Sequence, residues 1–256
     1  MQRVLVRLVV TWALVYVSLC AFIYLTQRNL IYFPDATRVT PDSANFELAR
    51  GDITLRGWML HADKTNAILY FGGNAERIEL NRELFAHSLP EHAIYLLPYR
   101  GYGPNEGTPA EDRLCDDAIA LFDAVRARHS VGAIGAIGRS LGSGVASCLA
   151  AQRPLDRLAL ITPFDSLVAV AQAHYPWLPV SWLMKDRYES ALRLRDFKGS
   201  TLVVRAGQDE IIPSASTDAL ISALRQPADV VAFPEATHNN ISDLPAYQQA
   251  LAMFFQ

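Results

Sequence analysis

From Ala67 to the C-terminus, short apolar runs alternate with stretches of helical periodicity, and that alternation leaves few architectures open. Ala67 to Phe71 (AILYF), Ala93 to Leu97 (AIYLL), Val131 to Ile137, Arg157 to Ile161, Thr201 to Arg205 and residues 229–233 read as strands. Helical periodicity covers residues 76–87, 110–128, 141–152, 214–225 and 244–255. In the second of these, Leu114, Ala118, Leu121, Phe122 and Val125 share one face. The pattern predicts an α/β fold: a mostly parallel central sheet with helices on both faces. Upstream, residues 46–62 read as two more strands with Gly51-Asp52 as the turn. Residues 164–195, rich in Pro, Trp and Tyr, interrupt the alternation and read as a small cap insert.

One strand-to-helix junction carries chemistry. Gly138-Arg139-Ser140-Leu141-Gly142 is a G-x-S-x-G segment between a predicted strand and a predicted helix, which is the context that motif requires. Such a turn exposes the serine oxygen at the carboxyl end of a strand, where open α/β sheets place their sites. A serine hydroxyl is a weak nucleophile and needs a base, itself oriented by an acid. The chain order for this arrangement is Ser, then Asp or Glu, then His. His61, His87, His92 and His129 precede Ser140, and His174 falls in the insert. His238, in the loop after the last strand, fits both order and place. Asp209, after the strand Thr201–Arg205, is the expected acid, with Glu210 and Asp165 as fallbacks. The expected oxyanion donors are the backbone N–H groups of Leu141 and of Asn74 in Gly72-Gly73-Asn74.

Five segments together resemble one known group. They are Phe71-Gly72-Gly73-Asn74-Ala75, Tyr99-Arg100-Gly101-Tyr102-Gly103 with Gly107, the Gly138–Gly144 segment, Asp209-Glu210-Ile211-Ile212-Pro213 and His238-Asn239. They look like the ABHD-type α/β-hydrolases with an N-terminal anchor, and the resemblance runs from about residue 25 to the C-terminus. It implies an α/β-hydrolase fold and a Ser-Asp-His hydrolase that uses no cofactor; separately, no C-x-x-C or Cys/His spacing suggests a zinc site. Members of that group act on acyl esters and thioesters, including lipids and S-acylated proteins. One departure stands out: the group usually has His-Gly-Asn at the oxyanion loop, and Gly72 takes the place of that His.

The N-terminus sets the remaining expectations. Leu8 to Leu25 is an 18-residue run without a charge. As a helix it spans roughly 27 Å, close to the thickness of bilayer hydrocarbon. Arg7 and Arg28 flank it, and Trp12, Tyr16 and Tyr24 add interfacial character. No small-residue cleavage pattern follows, as a removed signal peptide would want. The expected organisation is one transmembrane anchor over residues 1–30 and a catalytic domain over 31–256, with the cap at about 164–195. Arg3, Arg7 and the free amine ahead of the run, against Arg28 and Arg38 after it, slightly favour a translocated catalytic domain.

Without Arg3, Arg7 and Arg28 the chain holds 20 basic against 26 acidic groups, which disfavours nucleic-acid binding. Cys115 and Cys148 sit among apolar neighbours and read as buried free thiols. Trp177 and Trp182, in the apolar part of the insert, are the candidate substrate-binding side chains, lining an acyl pocket or sitting against the membrane. Two other readings compete. Gly142-Ser143-Gly144-Val145-Ala146-Ser147 is a loose dinucleotide-like string, but its glycines fall inside a predicted helix and no Walker lysine motif exists. A membrane-tethered, non-catalytic scaffold is opposed by the intact Ser, Asp and His.

Overall fold

Successive side chains of a strand point to opposite faces, and the strand AILYF serves two apolar layers. Ile68 and Tyr70 enter one layer, with Phe85, Leu251 and Phe255, while Leu69 and Phe71 enter the other, with Leu121, Leu149 and Leu220. The computed structural model describes residues 1–40, 44–51, 53–128 and 132–256. Among the described residues there are eight strands: β1 (Phe46–Arg50), β2 (Ile53–Leu60), β3 (Asn66–Phe71), β4 (His92–Leu96), β5 (Ile134–Arg139), β6 (Arg157–Ile161), β7 (Ser200–Gln208) and β8 (Asp229–Thr237). They form one sheet in the order β1-β2-β4-β3-β5-β6-β7-β8. β1 pairs antiparallel with β2 and β2 with β4, and all the other pairings are parallel.

The helices are α1 (Gln2–Ile31), α2 (Arg82–Ser88), α3 (Glu111–Arg128), α4 (Leu141–Ala150), α5 (Leu167–His174), α6 (Val180–Leu183), α7 (Ser190–Leu194), α8 (Ser214–Ala223) and α9 (Pro245–Phe255). Side chains of α2 and α9 fill one apolar layer; side chains of α3, α4, α7 and α8 fill the other. This is the mostly parallel, doubly covered sheet that the alternation predicts.

Several boundaries differ from the sequence expectation. Residues 76–87 are not one helix: a 3-10 turn at Ile78–Asn81 precedes α2. The Glu76 side chain is engaged instead with the Gly73 amide and the side chains of Tyr70 and Asn81. β5 begins at Ile134, and Val131 lies outside the described residues, as do His129 and the Asp52 of the expected turn. β7 and β8 run past Arg205 and Phe233 to Gln208 and Thr237, with an irregularity between Ala206 and Gln208. Pro234 falls within β8, which is tolerated because β8 is an edge strand. The extension places the residues that follow β7 and β8 side by side.

The cysteine expectation is corrected. Cys115 on α3 and Cys148 on α4 form a disulfide, with Cα atoms 5.8 Å apart. The two helices pack against each other. That contact of positions 33 residues apart leaves no trace in local sequence.

α1 is a 30-residue helix, exposed along most of its length. Its last turns are fastened to the insert. Gln27 is buried, donates to the Leu183 carbonyl at 2.9 Å and accepts from the Lys185 amide at 2.7 Å. Arg28 forms a two-point ion pair with buried Asp186, at 3.0 and 3.1 Å. The hydroxyls of Tyr32 and Tyr188 meet at 2.8 Å.

Candidate active site

Ser140 follows β5 and caps the first turn of α4, with φ 50° and ψ −117°. A positive φ is costly for a residue with a Cβ and is held only where surrounding packing determines it. Here the Ser140 amide donates to the Ile161 carbonyl at 2.9 Å. Its carbonyl accepts from the Ser143 amide and hydroxyl at 2.8 and 2.6 Å. Gly142 is required by close approach, since a Cβ there would strike the carbonyl of Phe71. A Cβ on Gly138 would come within 2.8 Å of the Ala146 side chain and 2.5 Å of the Gly142 carbonyl. The two glycines let the turn close between β3, β5 and α4.

His238, which follows β8, and Asp209, which follows β7, converge on the serine. His238 Nε2 lies 2.9 Å from Ser140 Oγ, and Nδ1 lies 3.0 and 2.9 Å from the two Asp209 oxygens. Both side chains are nearly buried, at 5% and 9% exposure. Asp209 Oδ1 also accepts from the amides of Ile211 and Ile212, at 3.0 and 2.8 Å. Burial raises the Asp209 carboxyl pKa, but the hydrogen bonds from His238, Ile212 and Ile211 outweigh it and hold the group below its ordinary range. An ionised Asp209 fixes the proton of His238 on Nδ1 and leaves Nε2 free to accept from Ser140.

The two fallback acids do different work. Glu210 reaches the His238 backbone amide at 3.4 Å rather than the imidazole, and Asp165 bonds to Ser216. Leu141 and Asn74 lie in the α4 first turn and the β3 loop. Among the described residues neither of their backbone amides has a protein hydrogen-bond partner. The Gly73 amide is occupied by Glu76 at 2.5 Å. Trp177 and Trp182 are not drawn into this group, with exposures of 57% and 87%. A cavity of about 570 Å³ between α3, α4 and the insert is lined by paired charges such as Glu111, Arg193, Asp186 and Arg28, and not by Ser140 or His238.

Residues 66–190 match the profile of the alpha/beta hydrolase fold. An uncharacterised protein of Mycobacterium tuberculosis is 36% identical over 242 residues, covering 89% of this chain and 86% of that one. The chain belongs to the α/β-hydrolase family. It is also 30% identical over 170 residues to the lysophosphatidylserine lipase ABHD12 of Rattus norvegicus, covering 57% of this chain and 42% of that protein. Among solved structures, the fold is shared with the Pyrococcus furiosus esterase Pf2001 (TM-score 0.65, 15% identity, 85% of this chain and 95% of that one). It is shared too with Est1E from Butyrivibrio proteoclasticus (TM-score 0.66, 15% identity, 82% and 99%).

This α/β-hydrolase holds the loop that follows β3 without a histidine at position 72. A Cβ on Gly72 would run into Ile78, so the position admits no larger side chain without local movement. Glu76 takes over the bracing. One of its oxygens accepts from the Gly73 amide and pairs with Arg139 Nη1 at 3.1 Å. The other accepts from Tyr70 and Asn81, at 2.5 and 2.6 Å. Arg139 in turn donates to the His238 carbonyl at 3.2 Å. Asn74 is pinned as well, accepting from Tyr102 at 2.8 Å and donating to the Ile31 carbonyl of α1 at 2.6 Å.

Glu76, Arg139 and Tyr102 therefore tie together the loop after β3, the serine turn, the loop that carries His238 and the end of α1. Sequence reasoning passed them over, although Arg139 lies within the motif and Glu76 follows a glycine turn. As a positioning residue, Glu76 replaced by Gln should lower kcat about 10²-fold with little change in KM, since small displacements of catalytic groups act on the transition state. Steady-state kinetics beside a thermal melt checks this. An unchanged kcat in a folded variant contradicts it.

Proposed function

We propose that this chain is a membrane-anchored serine hydrolase that cleaves ester or thioester bonds of acyl substrates. The observation that carries the reading is the continuous hydrogen-bonded chain from Ser140 Oγ through His238 to Asp209. In the reaction, His238 Nε2 takes the proton of Ser140 as Oγ attacks the acyl carbonyl. The Leu141 and Asn74 amides stabilise the oxyanion. The leaving alcohol or thiol departs with the proton from His238, and an acyl-serine remains. Water, activated by the same imidazole, then releases the acid. The lysophosphatidylserine lipase named above is a hydrolase of a lipid acyl ester, which supports the same substrate class here.

The test is a panel of p-nitrophenyl esters and acyl thioesters from acetyl to palmitoyl, used below their micelle concentrations, together with a fluorophosphonate probe. Covalent labelling at Ser140 and a rise in kcat/KM with chain length are expected, because each buried methylene contributes about 0.8 kcal/mol. Labelling elsewhere, or none with every substrate inert, overturns the reading.

We also place the catalytic domain on the translocated side of the membrane. The supports are the Cys115–Cys148 disulfide, a bond typical of oxidising compartments, and the arginines Arg3 and Arg7 before the apolar run. Alkylation of intact cells before lysis should leave Cys115 and Cys148 unmodified until a reductant is added. Alkylation of both without reductant would put the domain on the reducing side.

A further inference from the structure

The insert lies alongside the apolar helix, and the two are matched in polarity level by level. Tyr175 to Met184 (YPWLPVSWLM) contains no charged residue. The Tyr16 hydroxyl, halfway along the uncharged stretch of α1, donates to the Trp177 carbonyl at 2.8 Å. α6 packs on α1, and Gln27 closes the contact at Leu183 and Lys185. Only there do charges begin on both elements, with Arg28 paired to Asp186 and Lys185 Nζ 4.1 Å from the Tyr24 ring centre. From Tyr16 to Gln27 a helix rises roughly 16 Å, about half the hydrocarbon thickness of a bilayer.

We infer that Tyr175–Met184 is a membrane-embedded wedge, seated in the same leaflet as the second half of α1, with bilayer lipid as its occupant. The inference rests on the anchor reading of α1. Three observations support lipid as the covering material. The patch adjoins the exposed apolar surface of α1, and Tyr175, Trp177 and Trp182 all project from it. The segment satisfies much of its own backbone, which lowers the cost of placing it in hydrocarbon. The amides of Leu178, Val180, Trp182, Leu183 and Met184 bond to carbonyls within Tyr175–Val180, and Pro176 and Pro179 carry no N–H. The mid-helix Tyr16 hydroxyl, costly alone in an apolar layer, finds its acceptor in the wedge.

The wedge fixes how the catalytic domain meets its substrate. Asn74, at the oxyanion loop, is bonded to Ile31 just beyond the charged level of α1. That loop therefore sits close to the headgroup layer, where a lipid acyl ester presents its carbonyl.

The experiment uses the full chain in phosphatidylcholine vesicles with acyl chains brominated at mid-depth, which quench tryptophan emission on contact. The chain has four tryptophans, and Trp58 is buried in the core at 2% exposure. Trp12 reports α1; Trp177 and Trp182 report the wedge. With Trp12→Phe, most of the remaining emission should still be quenched. With Trp12→Phe, Trp177→Phe and Trp182→Phe combined, quenching should vanish. Quenching of the wild type that is lost entirely in Trp12→Phe would overturn the wedge while leaving the anchor intact. Absence of quenching in the wild type would overturn the anchor and, with it, the wedge. Protection of the two tryptophans by a second copy, seen as a crosslinked dimer with unquenched Trp177 and Trp182, would also overturn it.

Discussion

Ser140→Ala is expected to lower ester turnover by about 10⁵–10⁶-fold while leaving the protein folded. In the proposed reaction the Ser140 oxygen is the atom that becomes acylated. Ser143, the nearest other serine in the motif, has its hydroxyl committed to the Ser140 carbonyl at 2.6 Å. Folding should survive because the bonds that hold the turn involve the Ser140 amide and carbonyl, which Ala retains. The residual rate should still exceed that of water, since the donors at Leu141 and Asn74 and the substrate contacts remain. Hydrolysis of a p-nitrophenyl ester, measured beside fluorophosphonate labelling, decides the matter. Near-normal turnover from a folded Ser140→Ala protein removes this serine as nucleophile.

The second large effect concerns the imidazole and its acid. His238→Ala should cost about as much as loss of the serine, and Asp209→Asn about 10⁴-fold. Asparagine preserves the shape but offers an N–H where His238 Nδ1–H needs an acceptor, so the ring is pushed towards the wrong tautomer. Glu210→Gln and Asp165→Asn should stay near wild type, because neither carboxylate touches the imidazole. Activity lost in Glu210→Gln and kept in Asp209→Asn would reverse the assignment.

Asp209 also makes a prediction in pH. Its folded pKa is held below the ordinary 3.8. Ionised Asp209 therefore stabilises the fold at pH above that ordinary value. The contribution fades as pH falls through the lower, folded value. Asp209→Asn should erase this part of the acid dependence. Its stability deficit relative to wild type, from denaturant melts across the acid range, should narrow as pH falls. A deficit independent of pH would show that the carboxylate is not ionised by its partners.

Strand-helix alternation, the GRSLG segment and the order of Ser140, Asp209 and His238 were legible in the sequence because each is local or ordinal. An apolar run of five residues must be covered on both faces. A serine between two glycines at a strand-to-helix turn carries its context with it. A histidine after the last strand falls at the carboxyl edge of a parallel sheet wherever that sheet is built. The uncharged run of α1 was legible for the same reason, since length and lack of charge are properties of the segment itself.

Tertiary structure decided what depends on distant partners. Cys115 and Cys148 read as free thiols in their own helices, and only the packing of α3 on α4 brings them within disulfide distance. Glu76 looked like one residue of an ordinary helix, yet it braces Gly73 and Arg139 across the loop that Gly72 leaves without a side chain. By composition alone, Trp177 and Trp182 fitted either an acyl pocket or a seat against the membrane. Their position is set by α1, which lies more than a hundred residues away in sequence and holds the insert through Tyr16, Gln27 and Arg28. Periodicity reports which face of an element is apolar. What covers that face, whether core, partner helix or lipid, is fixed by contacts between segments whose separation along the chain leaves no local signature.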